Sequence, residues 1–321
     1  MANGTDALAL SLKSLGVGPG DEVITVPNTF IATAGAIIMV GARPVFVDIG
    51  ADYNMDPARI ADAITDDTKA ILPVHLTGNP ADMPAIMDVA SYFSTDSDRI
   101  SVVEDAAQAI LATIDGQHVG SWGEASGFSL HPLKNLNVWG DGGVIVTRSE
   151  WLHSKLRLLR NHGLVSRDEA SIFGYNSRLD SIQAAVGLRV MRHVERVTQK
   201  RISNAAVLDR ELDQLNDFIS IPPRRSGVRQ VYHTYMIRVA RRDALLAHLL
   251  ANGVDAKVHY PTPLHLQPAA SELGYKRGDF PVCEEFCDSV ITLPIHQYLT
   301  EVQLEYMVEQ CRRFYLSSHD G

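Results

Sequence analysis

Over the first 147 residues short apolar runs alternate with amphipathic stretches, and this alternation restricts the fold more than any other feature of the chain. Residues 22–26, 44–48, 70–75, 101–104, 125–130 and 144–147 read as strands. Residues 6–15, 33–39, 57–64 and 83–92 read as helices, the first with Thr5 as N-cap and Gly16 as its stop. A helix between two strands carries the chain back across the sheet, so neighbouring strands run parallel and both faces are covered. The expected architecture is α/β, with a mostly parallel sheet flanked by helices. From 180 to 215 the pattern becomes helical. Beyond lie a strand over 232–239, a helix over 242–252 and a last helix over 302–314. That reads as a large domain, 1–190, and a smaller C-terminal α+β domain, 191–321, which suits a length of 321 residues.

Two residues carry chemistry in this frame. Asp105 ends the apolar run 100–103, and the C-terminal end of a parallel strand borders the usual ligand crevice of an open sheet. Lys134 lies in the segment 129–135, shortly before the turn Gly140, Asp141, Gly142, Gly143. A free lysine amine is protonated at neutral pH, and burial or condensation with an aldehyde makes it useful. A lysine, a strand-end aspartate and a set of small donors together suit pyridoxal 5'-phosphate (PLP). The cofactor needs an amine for its aldehyde, a carboxylate for its ring nitrogen and donors for its phosphate. Singly, Lys134 reads as a solvated loop lysine and Asp105 as a helix N-cap.

The order of the motifs adds to this. Asn3, Gly4, Thr5, Asp6; Pro19, Gly20, Asp21, Glu22; Pro27, Asn28, Thr29, Phe30; Pro44 with Asp48; Glu104, Asp105, Ala106, Ala107, Gln108; 129–135; Arg160, Asn161, His162, Gly163; and Gly174, Tyr175, Asn176, Ser177, Arg178 follow in sequence. Through them the chain resembles the DegT/DnrJ/EryC1/StrS sugar aminotransferases of PLP fold type I, aspartate aminotransferase-like. The resemblance implies a seven-stranded sheet and a Schiff base on Lys134. It pairs Asp105 with the ring nitrogen, places Gln108 by the ring hydroxyl and stacks Phe30 on the ring. It assigns Gly4, Thr5 and Ser129 to the phosphate, and Asn176 to the phosphate of a neighbouring subunit in a homodimer with composite sites, with Arg178 alongside. His259, Tyr260 and His265 match a small-domain loop near the substrate.

The implied reaction turns a keto group on a dTDP-linked deoxysugar into an amine, with glutamate as donor, at C-3 rather than C-4. A PLP-dependent sugar dehydratase is the nearest alternative; such relatives carry histidine at the position of Lys134. A non-catalytic PLP-fold regulatory protein is the other. Two departures stand out. Thr77 occupies a position often held by tyrosine. Relatives also carry roughly fifty residues before the Asn–Gly–Thr motif, more than any ordinary connection, so the first strand is expected to be missing and Gly4 and Thr5 to lie near a fraying terminus.

Charge and cysteine content narrow the partners. The net charge is −9 without a basic run, which argues against nucleic acid. No segment has membrane-spanning length, and no signal peptide is legible. Cys283, Cys287 and Cys311 suit a reducing cytoplasm, with Cys283 and Cys287 four apart on one helix face and no second pair to complete a zinc site.

Overall fold

The computed structural model describes residues 1–95 and 99–316. Helix α1 (Gly4–Ser14) starts where the extended backbone of Asn3 lets its side chain accept from Asp6 N at 2.8 Å. The cap is therefore Asn3 and not Thr5, which already lies inside the helix. Gly16, at φ +92°, ends it as read. There follow β1 (Glu22–Thr25), α2 (Ala32–Met39) and β2 (Arg43–Phe46). The helix expected over 57–64 is two short 3-10 turns, Pro57–Arg59 and Ala61–Ala63. Within that stretch Ile60 alone is fully buried, so no apolar stripe exists to hold a longer helix. Next come β3 (Thr68–Ile71), α3 (Met83–Phe93), β4 (Ser101–Asp105), the small hairpin β5 (Thr113–Ile114) and β6 (Gln117–His118), then β7 (Ala125–Ser129) and β8 (Gly143–Val146).

The main sheet has the order β2-β1-β3-β4-β7-β8 and is parallel except for β8, which runs against β7. It has six strands where the resemblance implies seven. The chain start is nevertheless tied down. The Met1 nitrogen donates to Gly143 O at 2.7 Å, Gly143 N donates to Met1 O, and Ala2 N donates to Ser177 Oγ at 3.1 Å. These bonds join the backbone just before Gly4 and Thr5 to β8 and to Ser177.

Helix α4 (Glu150–Leu159) escaped the sequence reading. Ser149 caps it through Leu152 N, and Leu152, Leu156 and Leu159 pack with Ala7 and Leu10 of α1. After α5 (Ser181–Met191) and α6 (Val194–Leu212) come β9 (Ile219–Ser220), β10 (Val228–Arg229), β11 (Tyr235–Val239), α7 (Arg242–Ala251), α8 (Pro281–Ser289), β12 (Val290–Leu293) and α9 (Glu301–Leu316). Strands β12, β11 and β9 form an antiparallel sheet. Its core, with Leu208, Tyr235, Ile237, Leu249, Leu304 and Val308, is built wholly from residues 205–315. Helix α8 faces the other way. Phe286 meets Tyr53 at 4.5 Å, and Asp48 accepts from Val282 N and Cys283 N at 2.9 Å each. Cys283 and Cys287 are buried and free on this helix. No helix among the described residues is long and apolar enough to cross a membrane.

Candidate active site

The carboxyl ends of β4 and β7 lie side by side in the sheet, and each leads into a functional loop. Asp105 closes β4 and is almost wholly buried. Its Oδ2 accepts from the Thr33 hydroxyl at 2.7 Å and its Oδ1 from Ala107 N at 3.1 Å. The Thr33 hydroxyl also lies 2.9 Å from that of Thr29. Burial pushes the Asp105 carboxyl above the ordinary range; Thr33, Ala107 and the charge of Lys134 pull against that. No helix follows Asp105, so the carboxylate serves the turn at Ala107 rather than a helix N-terminus.

Lys134 follows β7 on a loop that is pinned at several points. Lys134 N donates to His131 O, Leu130 N to Gly142 O, and Asn135 Nδ2 to Val231 O. Burial lowers the proton affinity of the Lys134 amine, and the Asp105 charge opposes that. Each group therefore lies within the other's field, and each resists its charged form in a low-dielectric setting.

Ser129 ends β7 directly against the start of α1. A Cβ placed on Gly4 would come within 2.7 Å of Ser129 Cβ, so only glycine fits there. Asn3 occupies the N–H of Asp6, and the N–H groups of Gly4 and Thr5 have no partner within the helix. The amino end of α1, with its helix dipole, and the Ser129 hydroxyl thus lie side by side, an arrangement suited to an anion.

Gln108 lies one turn beyond Asp105. Its Oε1 accepts from Thr77 N at 2.7 Å, and its amide lies near enough to Tyr260 to favour the ionised form of that hydroxyl. Burial pushes the Tyr260 hydroxyl up to about 12, and the field of Asp105 pushes the same way. Phe30, 55% exposed, holds its ring 6.1 Å from that of Tyr260. His259, beside Tyr260, lies 3.0 Å from Thr292 Oγ1, and burial keeps it below the ordinary histidine range.

Three sequence-predicted residues lie elsewhere. His265 is buried against Glu284 Oε1 at 3.1 Å and edge-on to Phe280. That bond ties its loop to α8. Asn176 and Arg178 sit on an exposed segment whose backbone pairs with Asn161; Arg178 donates to Asn161 Oδ1 at 2.9 Å. Nothing in the described chain brings either one to Lys134.

Other residues escaped the sequence reading. Glu104 and His75 form a buried pair at 3.2 Å beneath the site. Arg201 is 8% exposed and donates to the carbonyls of Tyr232, His233 and Ile295. His233, whose backbone Arg201 holds, feels the charges of Lys134 and Arg201, and burial sets it well below the ordinary histidine value. No sequence pattern gives these four their roles; those become visible only when the chain folds back on itself.

A deep-seated amine, a strand-end carboxylate and an anion cradle in one α/β crevice define a PLP-type site, and comparison with known proteins agrees. The chain matches the DegT/DnrJ/EryC1/StrS aminotransferase family over residues 1–312. It is 44% identical to the pleiotropic regulatory protein of Geobacillus stearothermophilus, over 98% of this chain and 83% of that one. It is 40% identical to the dTDP-3-amino-3,4,6-trideoxy-alpha-D-glucose transaminase of Streptomyces venezuelae, over 97% and 81%. The crystal structure of S. venezuelae DesV with a ketimine intermediate superposes with a TM-score of 0.93 at 39% identity, covering 98% of this chain and 83% of that one. The chain belongs to the DegT/DnrJ/EryC1/StrS aminotransferase family. It is a PLP-dependent aminotransferase of fold type I. The residues present fit the cofactor: Gly4 lets the first turn of α1 lie directly against Ser129, which sets backbone amides beside a hydroxyl as a phosphate requires, and Asp105 is a buried carboxylate in the field of an amine.

Proposed function

We propose that this enzyme moves an amino group from glutamate to the C-3 carbonyl of a dTDP-linked keto-deoxysugar. One observation carries the reading: Asp105 and the loop that holds Lys134 follow from adjacent strands, the two groups lie within each other's field, and Gly4 packs on Ser129 at the end of the second strand. When bound, the cofactor supplies an aldehyde carbon and an electron-accepting ring. Lys134 Nζ would hold it, and the lowered proton affinity of that amine suits it to take up and release a proton there. The Asp105 carboxylate holds the proton on the ring nitrogen, and Thr33 fixes its oxygen. Gln108 would serve the ring hydroxyl, Phe30 the ring face, and Gly4, Thr5 and Ser129 the phosphate. Tyr260 and His259 line the substrate side.

The S. venezuelae transaminase, whose name places the amine at position 3 of a dTDP sugar, supports the substrate assignment. So does the resemblance of 260–268 and 278–281 to C-3 enzymes. For quaternary structure we propose a homodimer with composite sites, in which Asn176 and Arg178 reach the partner's cofactor phosphate. Their exposed position, and the exposure of Leu133, Trp139, Phe173 and Ile182, support it. We assign 1–190 to the cofactor domain and 191–321 to the smaller one, and place the protein in the cytoplasm, where its three free cysteines are at home.

A second reading, a non-catalytic regulator, draws on the name of the 44% identical relative. The test is an assay with glutamate and paired 3-keto and 4-keto sugars, each as dTDP and UDP derivatives, following 2-oxoglutarate. Turnover of the dTDP 3-keto sugar is expected. Exclusive turnover of a 4-keto or a UDP sugar would overturn the substrate assignment. A protein that takes up PLP without turning over any of the four would favour the regulator.

A further inference from the structure

The hydrogen bonds behind Gln108 have a determinate direction. An amide side chain can present either its oxygen or its nitrogen, and the network decides which. Arg224 is held by Asp209 through two bonds of 2.8 Å, and a guanidinium can only donate. Its Nη1 donates to Gln230 Oε1 at 3.0 Å, which turns Gln230 Nε2 toward Thr77, where it donates to Oγ1 at 3.0 Å. Thr77 N, also only a donor, holds Gln108 Oε1 at 2.7 Å. The Gln108 nitrogen is then the end left for Tyr260 and for any acceptor in the crevice.

Thr77 is the weak link in this series. It lies at φ +63°, the left-handed region, although it is β-branched. That backbone is disfavoured by about tenfold at a residue carrying a Cβ. One hydrogen bond to its hydroxyl recovers a factor of about tenfold at most. The carbonyls of Thr77 and Gly78 are also bonded by His233 N and Val231 N. The segment 230–233 therefore grips the turn from outside the sheet.

The geometry points to Gln230 as a positioning residue: by holding Thr77 in its left-handed conformation, it aims the Gln108 amide nitrogen at the ring hydroxyl of the bound cofactor. This rests on the role proposed above for Gln108. Gln230 touches neither cofactor nor substrate. It couples the β10–β11 segment to the donor that sets the electronics of the ring. The left-handed backbone of Thr77 is what makes the coupling necessary.

The test measures PLP affinity of the apoprotein and the pH midpoint of the bound cofactor's visible absorbance in four variants. A donor to the ring oxygen favours its anionic form, so losing the donor raises that midpoint. Gln108→Ala is expected to raise it. Gln230→Met, which keeps the volume but cannot donate, is expected to raise it by roughly half a unit and weaken affinity about threefold. Thr77→Gly is expected to match the wild type, because glycine holds a positive φ unaided. Gln230→Met with Thr77→Gly is expected to return to the wild-type midpoint. A wild-type midpoint for Gln230→Met, or failure of Thr77→Gly to restore it, overturns the relay while leaving Gln108 in place. A wild-type midpoint for Gln108→Ala overturns the Gln108 reading and the relay with it.

Discussion

Glu104→Gln exchanges one atom and is expected to be among the most damaging substitutions in the chain. The Glu104 side chain is fully buried. Its Oε1 accepts from Trp122 N at 2.9 Å and Gly123 N at 3.0 Å, and its Oε2 from Gly120 N at 2.7 Å and His75 Nε2 at 3.2 Å. Glutamine must place its NH2 on one of these two sides. On the first side it faces two backbone donors and orphans both. On the second it orphans Gly120 N, and His75 offers no relief. Were His75 to move its proton to Nδ1, that atom could no longer accept from Ala81 N, which it now does at 3.0 Å. Either orientation therefore strands two buried donors, at about 1–3 kcal/mol each, for a total near 4 kcal/mol. For a chain of 321 residues, at about 2.1 cal/mol/K of unfolding entropy per residue, that corresponds to a fall in Tm of roughly 6 °C. The assay is thermal and denaturant unfolding of both proteins at saturating PLP and pH 7. A Tm within 2 °C of wild type would refute the count of stranded donors. Burial raises the Glu104 carboxyl, but the bonds from His75, Gly120 and Gly123 outweigh it, and the net effect is a lowered value. A depressed acid stabilises the fold above its unfolded value of about 4.3 and loses that contribution as pH falls through the folded value. Glu104→Gln should therefore be less stable than wild type at neutral pH, and the gap should narrow in acid.

The remaining predictions concern the site. Lys134→Ala is expected to abolish transamination and the borohydride-stable attachment of the cofactor; substantial turnover without added amine would end that assignment. Asp105→Asn is expected to retain PLP but to slow turnover by several orders of magnitude, since an amide cannot keep the ring nitrogen protonated; near wild-type turnover would mean that another group holds it. Gly4→Ala is expected to weaken PLP binding at least tenfold, measured by absorbance titration, because the new Cβ falls 2.7 Å from Ser129 Cβ and forces the phosphate cradle open. If sites are composite, mixing inactive Lys134→Ala with inactive Asn176→Ala should restore activity to about a quarter of wild type, half the dimers being mixed and each holding one intact site; no recovery, with subunit exchange shown by mass, would place Asn176 outside the partner's site.

The fold was legible where burial and period agree. The parallel strands 22–26, 44–48, 101–104 and 125–130 are apolar runs bounded by turn residues, and the structure places a strand in each. The reading failed where other forces decide. Residues 57–64 have helix formers but no buried stripe beyond Ile60, so tertiary support is lacking and 3-10 turns result. Helix α4 shows the opposite fault: Leu152, Leu156 and Leu159 have a helical period, hidden by the charged residues between them. The strand expected from 232 begins at Tyr235, because 231–233 spend their backbone groups on Gly78, Thr77, Asn135 and Arg201. Pairing partners of that kind have no local signature.

The site shows the same division more sharply. Lys134, Asp105 and Ser129 could be named in advance because chemistry restricts their residue types and the sheet restricts their positions to strand ends. What sets their properties could not. Asp105 depends on Thr33, 72 positions away, for a hydrogen bond to its Oδ2. The Gln108 amide takes its direction from Thr77 N and, through Thr77, from Gln230, 153 positions beyond. His265 was named from a loop resemblance, and its hydrogen bond to Glu284 and its contact with Phe280 appear only in the fold. A side chain's identity limits what it can donate or accept, and only its neighbours decide which of those it does. The residues that touch the cofactor are thus the readable part of such a site, and the residues that aim them belong to the fold.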